Sequence, residues 1–397
     1  MTARSVILAA DPLFAEGVDG AVVLIVAVKT LVVFAALMVS VLFMVWFERK
    51  LVSDMQARIG PNRAGKWGVL QALADGTKLF FKEDLLPDRA DRRIFRLAPY
   101  LSLVPAFLAF AIVPVGGEIT IGDRTTRLQL ADPPVGILFL LAVSSIAVYG
   151  VMLAGWSSGS KYPLLGSVRA SAQMVSYEAA MSLSVAAAVL TAGSLSTREI
   201  VNSQAVYNWN LWQLGAVPFL IFMVAITAEL NRPPFDLVEA EQELVGGFHT
   251  EYSSIRFAMF YLAEYMNLIT MSAIAITLFL GGPNGPSIPL LPDVLEGVVW
   301  FLAKLLAFLF SYVWLRATLP RLRYDQLMNV GWKVLIPLSL FWLLLIAALR
   351  VGNDEGWPWY YVFGGALAVG FLGWSALAAA IRTGERAPTL HPEEVSS

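Results

Sequence analysis

Long apolar segments are the feature of this sequence that most restricts its fold. A helix of about 20 predominantly apolar residues crosses the hydrocarbon core of a bilayer. Nine segments approach or exceed that length: 21–47, 99–115, 135–154, 170–192, 214–230, 257–280, 298–319, 334–349 and 360–381. Charged residues make up only 15% of the chain and the mean hydropathy is +0.66, as is typical of membrane proteins. The sequence therefore predicts an all-α polytopic membrane protein with about nine transmembrane helices in a single membrane domain.

The lysines and arginines predict the orientation of these helices. Cytoplasmic loops of membrane proteins carry an excess of basic residues. Most of the 28 lysines and arginines fall on one side of the nine segments, above all in the loop 48–98. We therefore expect the N-terminus outside, a cytoplasmic C-terminus with a polar tail at 383–397, and cytoplasmic loops at 48–98 and 231–256. On the opposite side, 116–134 is predicted to form a polar hairpin.

The first cytoplasmic loop contains a second helical pattern. After the turn IGPNRAGKWG, apolar side chains fall partly on one helical face, with lysines beside them: Val69, Leu70, Leu73, Leu79, Phe80 and Phe81. This arrangement predicts an amphipathic helix that lies in the plane of the membrane interface. A helix that only covers the end of the bundle is the alternative interpretation.

The composition excludes several kinds of site. The chain has no cysteine, so it cannot hold a thiolate-ligated iron–sulfur cluster or a cysteine zinc site. It has two histidines, and His391 lies in the polar tail, so a haem with paired histidine ligands is not expected. No nucleotide-binding glycine motif and no hydrolase motif is present. A redox centre, if one is involved, must belong to a partner or to a diffusible molecule, and no complete active site is expected in this chain alone.

Carboxylates inside or at the ends of the apolar segments are the candidates for chemistry. Glu48 ends the first segment, Glu229 the fifth, and Glu178 and Glu264 lie within the fourth and sixth. Ionisable groups in a membrane are costly and are usually functional, and a series of them joined by water can carry protons. Tyr177, Tyr261 and Tyr265 could add hydroxyl groups to such a series. The alternative is that each carboxylate sits at a helix end in headgroup water.

Acidic residues are concentrated most strongly in the loop after Glu229. Glu239, Glu241 and Glu243 occupy alternate positions, and like charges at short range favour proton uptake by one of them. A solvated acidic loop is the alternative, but Leu237, Val238, Leu244, Val245 and Phe248 around them predict that the loop is packed. Two lysines also lie in apolar segments. We expect Lys29 to extend toward the membrane surface and Lys304 to pair with an acid.

Three long stretches carry a resemblance to a known family. They are WFERKLVSDMQARIGPNRAGKWGVLQALADGTKLFFKE, AELNRPPFDLVEAEQELVGGFHTEYSSIRFAMFYLAEYMN and RATLPRLRYDQLMNVGWKVLIPLSL. Their order and spacing resemble the H-type (subunit 1) membrane subunit of respiratory complex I, the proton-translocating NADH:quinone oxidoreductase. The resemblance covers roughly residues 20–380. It implies a translocase subunit in the inner membrane of a prokaryotic cell.

The resemblance also implies where the quinone and the protons go. It places part of a quinone chamber beside the first segment, the amphipathic helix and the sixth segment. The implied quinone-binding residues are Arg49, Gln56, Arg58, Arg63, Asp75, Phe235, Phe257 and Arg316. The implied proton path consists of Glu48, Glu178, Glu229, Glu239, Glu241, Glu243 and Glu264. Some family members have a further carboxylate in the third segment, where this chain has Ser144, Ser145 and Tyr149, so a relay there would need hydroxyls and water.

Partners and cofactors follow from the same resemblance. The expected partners are the peripheral-arm subunits that form the quinone site and carry the terminal iron–sulfur cluster, small membrane subunits at the junction, and lipid, with no nucleic acid. Quinone, as ubiquinone or menaquinone, is the substrate; FMN and iron–sulfur clusters belong to partner subunits; no metal is expected here. The alternatives are a homologous membrane subunit of a proton-pumping hydrogenase-type complex and a membrane anchor without proton transfer. A secondary transporter is disfavoured because no internal repeat is visible.

Overall fold

The computed structural model describes residues 11–14, 17–237, 241–289 and 291–358, with isolated positions between 360 and 375. The helices are α1 Gly20–Met55, α2 Gln71–Phe81, α3 Arg92–Phe110, α4 Gly136–Ser157, α5 Lys161–Ala192, α6 Thr197–Asn202, α7 Asn210–Gln213, α8 Ala216–Glu229, α9 Glu241–Leu244, α10 Ser254–Phe279, α11 Asp293–Thr318, α12 Tyr324–Asn329 and α13 Ile336–Asp354. Short 3₁₀ turns occur at Pro12–Phe14, Lys66–Gly68 and Gly247–His249, and a π-helix at Val330–Leu335 joins α12 to α13. The all-α fold class is confirmed.

Seven helices among the described residues are long and apolar enough to cross a membrane. They are α1, α3, α4, α5, α10, most of α11, and the continuous stretch from α12 through α13. The fifth apolar segment forms the shorter helix α8, of 14 residues. Most of the ninth segment lies outside the described residues. The chain is a multi-pass membrane protein. It divides into two compact units, Met1–Ser339 and Leu340–Ser397, and the candidate site lies entirely in the first.

Helix α3 begins before its apolar run because a side chain caps it. Asp91 Oδ1 accepts hydrogen bonds from the backbone nitrogens of Arg93 and Ile94, at 3.0 and 3.3 Å. An N-cap of this kind satisfies amides that the first helical turn leaves free. Helix α3 therefore starts at Arg92, whereas the apolar segment in the sequence starts at 99.

Helix α10 forms the centre of the first unit. It contacts α1, α3, α8 and α11, and almost every side chain from Tyr265 to Phe279 is buried. Beside it, α3, α4 and α5 pack closely through small residues. A Cβ atom added at Gly150 of α4 would clash with Ser102 on α3, and one at Gly155 would clash with Ser167 on α5. These glycines allow the helices to approach, as small residues commonly do in membrane bundles.

The two ends of this unit differ in the chain segments that close them. At the first end, here called the loop end, the connection 230–253 follows α8, and Glu48 of α1 and Arg316 of α11 lie beside it. At the second, the hairpin end, strands β1 (Glu118–Ile121) and β2 (Arg124–Arg127) form an antiparallel hairpin, with Ile119 opposite Thr126. The predicted hairpin is confirmed. The predicted amphipathic helix is α2, in which Leu73, Phe80 and Phe81 remain more than half exposed.

Candidate functional site

A buried carboxylate joins three segments at the loop end. Glu48 of α1 is 4% exposed. Its carboxylate accepts a hydrogen bond from Tyr265 Oη at 2.8 Å and from Arg232 Nη1 at 3.2 Å, and it also bonds Arg316 Nη1. These partners lie in α10, in the loop after α8 and in α11. A buried charge is tolerated only when it is paired and hydrogen-bonded, and Glu48 meets both conditions.

Arg232 connects Glu48 to a second carboxylate. Its Nε lies 2.8 Å from Glu264 Oε1, and its guanidinium carbon is 4.4 Å from the centroid of the Tyr265 ring. Burial alone would lower the pKa of Arg232, but Glu264 and Glu48 raise it well above its ordinary value. Arg232 and Arg316 thus balance the charges of Glu48 and Glu264. We call these four residues the charge cluster.

An open cavity of about 490 Å³ lies against the charge cluster. Its titratable lining residues are three arginines, two tyrosines and one carboxylate: Arg49, Arg58, Arg316, Tyr261, Tyr265 and Glu48. We call it the arginine cavity. Arg49 Nη1 is 2.6 Å from Asp75 Oδ2, so the amphipathic helix α2 is tied to the rim of the cavity. The volume falls within the range of small-molecule sites.

A second, smaller cavity is also lined by Tyr261. It has about 80 Å³, and its titratable lining residues are Glu229, His249, Tyr261 and Glu264. We call it the glutamate cavity. A cavity of this size with polar walls has room for several water molecules. Glu229 Oε2 is buried there and has no hydrogen-bond partner in the described part of the chain. Because Tyr261 lines the arginine cavity as well, its side chain forms part of the wall of both cavities.

The series of polar groups continues past Glu229 toward α5. A cavity of about 20 Å³, which has room for one water molecule, is lined by residues that include Ser144, Glu229, Asn267 and Met271. On α4, one residue after Ser144, Ser145 donates a short hydrogen bond from Oγ to the Glu178 carboxylate. Hydroxyl groups thus occupy the third segment, which has no carboxylate of its own.

The structure brings some of the predicted site residues together and separates others. Arg49, Arg58 and Arg316 line the arginine cavity, and Asp75 adjoins it through Arg49. Gln56 and Arg63 are exposed and do not line it. Phe235 is buried against Tyr177, at 5.5 Å between ring centroids, whereas Phe257 lines the glutamate cavity.

The three glutamates of the acidic loop are described unequally. Glu243 Oε2 pairs with Arg169 Nη1 at 2.7 Å, and its side chain is 60% exposed. Glu239 and the side chain of Glu241 lie outside the described residues.

Comparison with known proteins identifies the family. A family model described as NADH dehydrogenase matches residues 28–347. The chain belongs to the NADH dehydrogenase family. It is 54% identical over 381 residues to the H-type subunit of the NADH-quinone oxidoreductase of Frankia alni, covering 94% of this chain and 83% of that protein. It is 55% identical over 355 residues to the corresponding protein of Frankia casuarinae, covering 88% and 78%. The corresponding protein of Streptomyces avermitilis is 49% identical over 368 residues, covering 89% and 80%. The family recognised from the three sequence stretches is confirmed.

Three residues of this family member stand at the site although no sequence pattern gave them a role there. Arg232 pairs with the buried Glu48 and the partly buried Glu264, and the signal in the sequence was a cation inside an acid-rich stretch. Gln173 Nε2 lies 2.7 Å from the carbonyl oxygen of Ala228 and 2.9 Å from that of Phe235, and so holds the turn that carries Arg232. No local sequence pattern points to Gln173.

His249 is the third of these residues, and it lines the glutamate cavity. Its ring packs against Phe248 and Phe257, at 5.0 and 5.3 Å between ring centroids. Burial lowers the pKa of His249 to about 4, although Asp236 opposes the shift. The imidazole is therefore neutral at pH 7 and can both donate and accept a hydrogen bond.

Proposed function

We propose that this chain is the H-type membrane subunit of a proton-translocating NADH:quinone oxidoreductase, at the junction of its peripheral and membrane arms. The family, and the names of relatives at 49–55% identity, support the assignment to that complex. The observation that carries the functional proposal is that Tyr261 lines both the arginine cavity and the glutamate cavity. A reaction in the first cavity can thereby affect protonation in the second.

The arginine cavity is proposed as part of the quinone chamber. Reduction of a quinone to a quinol takes two electrons, which a partner's iron–sulfur cluster supplies, and two protons. Arg49, Arg58 and Arg316 place positive charge where the reduced head group gains negative charge, and guanidinium groups suit that task because they stay charged. Tyr261 and Tyr265 present hydroxyl groups to the same space. By the motif resemblance, Gln56, Arg63, Asp75, Phe235 and Phe257 complete the quinone side.

The charge cluster is proposed to transmit the reaction to the carboxylates. Arg316 lines the arginine cavity and binds Glu48, which binds Arg232, which in turn pairs with Glu264. Negative charge on the quinone head competes with Glu48 for Arg316. Glu48 then depends more on Arg232, and the ion pair between Arg232 and Glu264 changes. A change in the ion pair of Glu264 then changes the field at Glu229, since both line the glutamate cavity.

The proton route beyond Glu229 is proposed to run through water and hydroxyls to Glu178. Ser144 shares a small cavity with Glu229, and Ser145 binds Glu178. Glu239, Glu241 and Glu243 are proposed to respond to the peripheral arm, whose subunits carry FMN and the iron–sulfur clusters. From the excess of lysine and arginine in the loops on this side, we propose that it faces the cytoplasm, with the N-terminus outside.

Removing one arginine from the cavity tests the quinone part of the proposal. Arg58→Ala should lower NADH:quinone turnover of the assembled complex by about tenfold or more, the loss expected for one well-placed charged contact. NADH:ferricyanide reduction, which needs only the peripheral arm, should not change. Arg63→Ala should have a smaller effect because Arg63 does not line the cavity. Arg323→Ala is the matched control, since its side chain is 82% exposed.

Two outcomes would count against the quinone assignment. One is an Arg58→Ala complex with native quinone turnover and native quinone KM. The other is a purified native complex that carries hydrogenase-type partners and reduces no quinone, in which case the hydrogenase-type alternative replaces the proposal.

A further inference from the structure

Lys304 of α11 lies in an apolar helix and binds a ring of backbone oxygens. Its Nζ is 2.7 Å from the carbonyl oxygen of Leu280, 2.9 Å from that of Gly282 and 2.7 Å from that of Asn284. Three acceptors require three N–H donors. A protonated ammonium has three and a neutral amine has two, so the contacts are those of a charged lysine.

Lys304 has no acidic partner within ion-pair distance among the described residues, so the expected pairing with an acid is wrong. Its remaining neighbour is the ring of Trp209, with the centroid 5.0 Å from Nζ. Lys29, the other lysine in an apolar segment, behaves differently: its Nζ pairs with Asp11 Oδ2 at 3.0 Å. Among the described residues, the charge of Lys304 is therefore balanced by carbonyl dipoles and an aromatic face.

The carbonyl ring is a built structure, which we call the carbonyl cage. Gly281 and Gly282 have φ values of 71° and 55°, a left-handed conformation that turns the chain so that the carbonyls of Leu280, Gly282 and Asn284 converge on Lys304. Gln204 Oε1 accepts a hydrogen bond from the Gly281 amide at 3.0 Å. Asn284 Nδ2 donates to the carbonyl oxygens of Val201 and Gln204, at 3.3 and 3.2 Å. These contacts hold the cage in place from the helix α6 side.

The carbonyl cage closes the hairpin end of the same helix that carries Glu264. Among the α10 residues that line the smallest of the three cavities, Met271 lies nearest to the hairpin end. From Met271 to Phe279, its last residue, the helix rises about 12 Å, at 1.5 Å per residue, and the side chains from Ser272 to Phe279 are buried. The hydroxyls of Ser272 and Thr277 bond back to carbonyls of their own helix. A stretch of buried side chains thus separates the carboxylates from the cage.

We propose that Lys304 is a tethered cation that seals the hairpin end of the carboxylate path against proton leak. A fixed positive charge repels an excess proton, and pores that exclude protons use charged side chains in this way. With the seal in place, protons that reach Glu229 pass toward Glu178 instead of crossing directly to the other side of the membrane. This inference rests on the proposed function, because it requires that the carboxylates carry protons.

Passive proton permeability tests the seal independently of turnover. Purified complexes containing Lys304→Met or Lys304→Gln would be reconstituted in liposomes, and proton flux would be followed with a pH dye after a potassium diffusion potential is imposed. We expect both variants to leak at least about tenfold faster than the native complex, and Lys304→Arg, which keeps the charge, to stay near native. Lys29→Met is the matched control, and its passive proton flux should equal that of the native complex. Ferricyanide reduction and subunit content verify assembly.

A double variant tests whether the leaking protons use the carboxylate path. Glu229→Gln added to Lys304→Gln should return the leak to the native rate, since the route would lose its central carboxylate. A native rate of passive proton flux in an assembled Lys304→Gln complex would overturn the proposal that Lys304 is a seal. A leak that persists with Glu229→Gln would also overturn it, because protons would then be taking another route. Failure of Glu229→Gln alone to alter pumping would instead overturn the proposed function.

Discussion

The loop end and the hairpin end both bury polar side chains, but the partners of those side chains differ. At the loop end, Glu48, Arg232 and Glu264 pair with one another, and Glu229 faces a cavity. At the hairpin end, Lys304 and Gln204 bind mainly backbone groups. When a charged group is paired with another titratable group, a change in the protonation of one changes the ion pair of the other. A backbone carbonyl does not titrate, so a group bound to carbonyls keeps the same partners. The first arrangement suits transmission of charge, and the second suits closure.

Removing Arg232 should have the largest effect on stability. Arg232→Met would leave the buried Glu48 and the partly buried Glu264 with too little positive charge, and breaking a buried ion pair costs about 3–5 kcal/mol. We expect a lower apparent unfolding temperature of the purified complex and less of this subunit in the membrane. Arg323→Met, on the exposed surface, is the control. Equal stability of the two variants would show that the charge cluster does not hold the loop end together.

Lowering the pH should weaken the loop end through His249. Burial holds the folded-state pKa of His249 at about 4, below its ordinary 6.5, so the unfolded state binds more protons between these values. The stabilisation is therefore fully present above about pH 6.5 and is lost as pH falls toward 4, by at most about 3 kcal/mol. Among the described residues, the titratable groups near His249 are Asp236, Glu229, Glu264 and Tyr261.

His249→Gln removes this titration and should flatten the pH dependence of the unfolding temperature between pH 6.5 and 4. The measurement is a thermal unfolding series on the purified complex at constant ionic strength. A slope as steep as that of the native complex would assign the acid sensitivity to the neighbouring carboxylates instead.

Two buried glutamines, one at each end, separate stability from activity. Gln173 holds the turn that carries Arg232, and Gln204 bonds the carbonyls of Thr277 and Leu278 near the carbonyl cage. Replacing either by Leu leaves buried carbonyls unpaired, which costs about 1–3 kcal/mol. We expect similar losses of stability, but only Gln173→Leu should also lower NADH:quinone turnover. Equal loss of turnover in both variants would contradict the division between the two ends.

The sequence predicted the helices and the hairpin because apolar periodicity and turn residues act locally. It also singled out Glu48, Glu178, Glu229 and Glu264, since any carboxylate in an apolar segment is conspicuous. It did not show what these groups bind. Glu48 and Arg232 are 184 residues apart in sequence, and only the packed fold brings them together.

The partner of Lys304 could not be predicted for a similar reason. A lysine in an apolar helix requires compensation, but the compensation comes from carbonyls that a glycine turn aims at it. Side-chain patterns do not reveal where backbone oxygens point. The expected acid partner was therefore the wrong kind of partner.

The measurement that most directly tests coupling through the glutamate cavity is the rate of proton translocation during NADH:quinone turnover in liposomes containing the Glu229→Gln complex. Glu199→Gln, an exposed glutamate at the hairpin end, is the control. We expect Glu229→Gln to lower quinone turnover and proton translocation together by at least about tenfold, the loss typical of removing a proton-transfer group, with ferricyanide reduction unchanged. Native translocation by an assembled Glu229→Gln complex would contradict the proposed coupling.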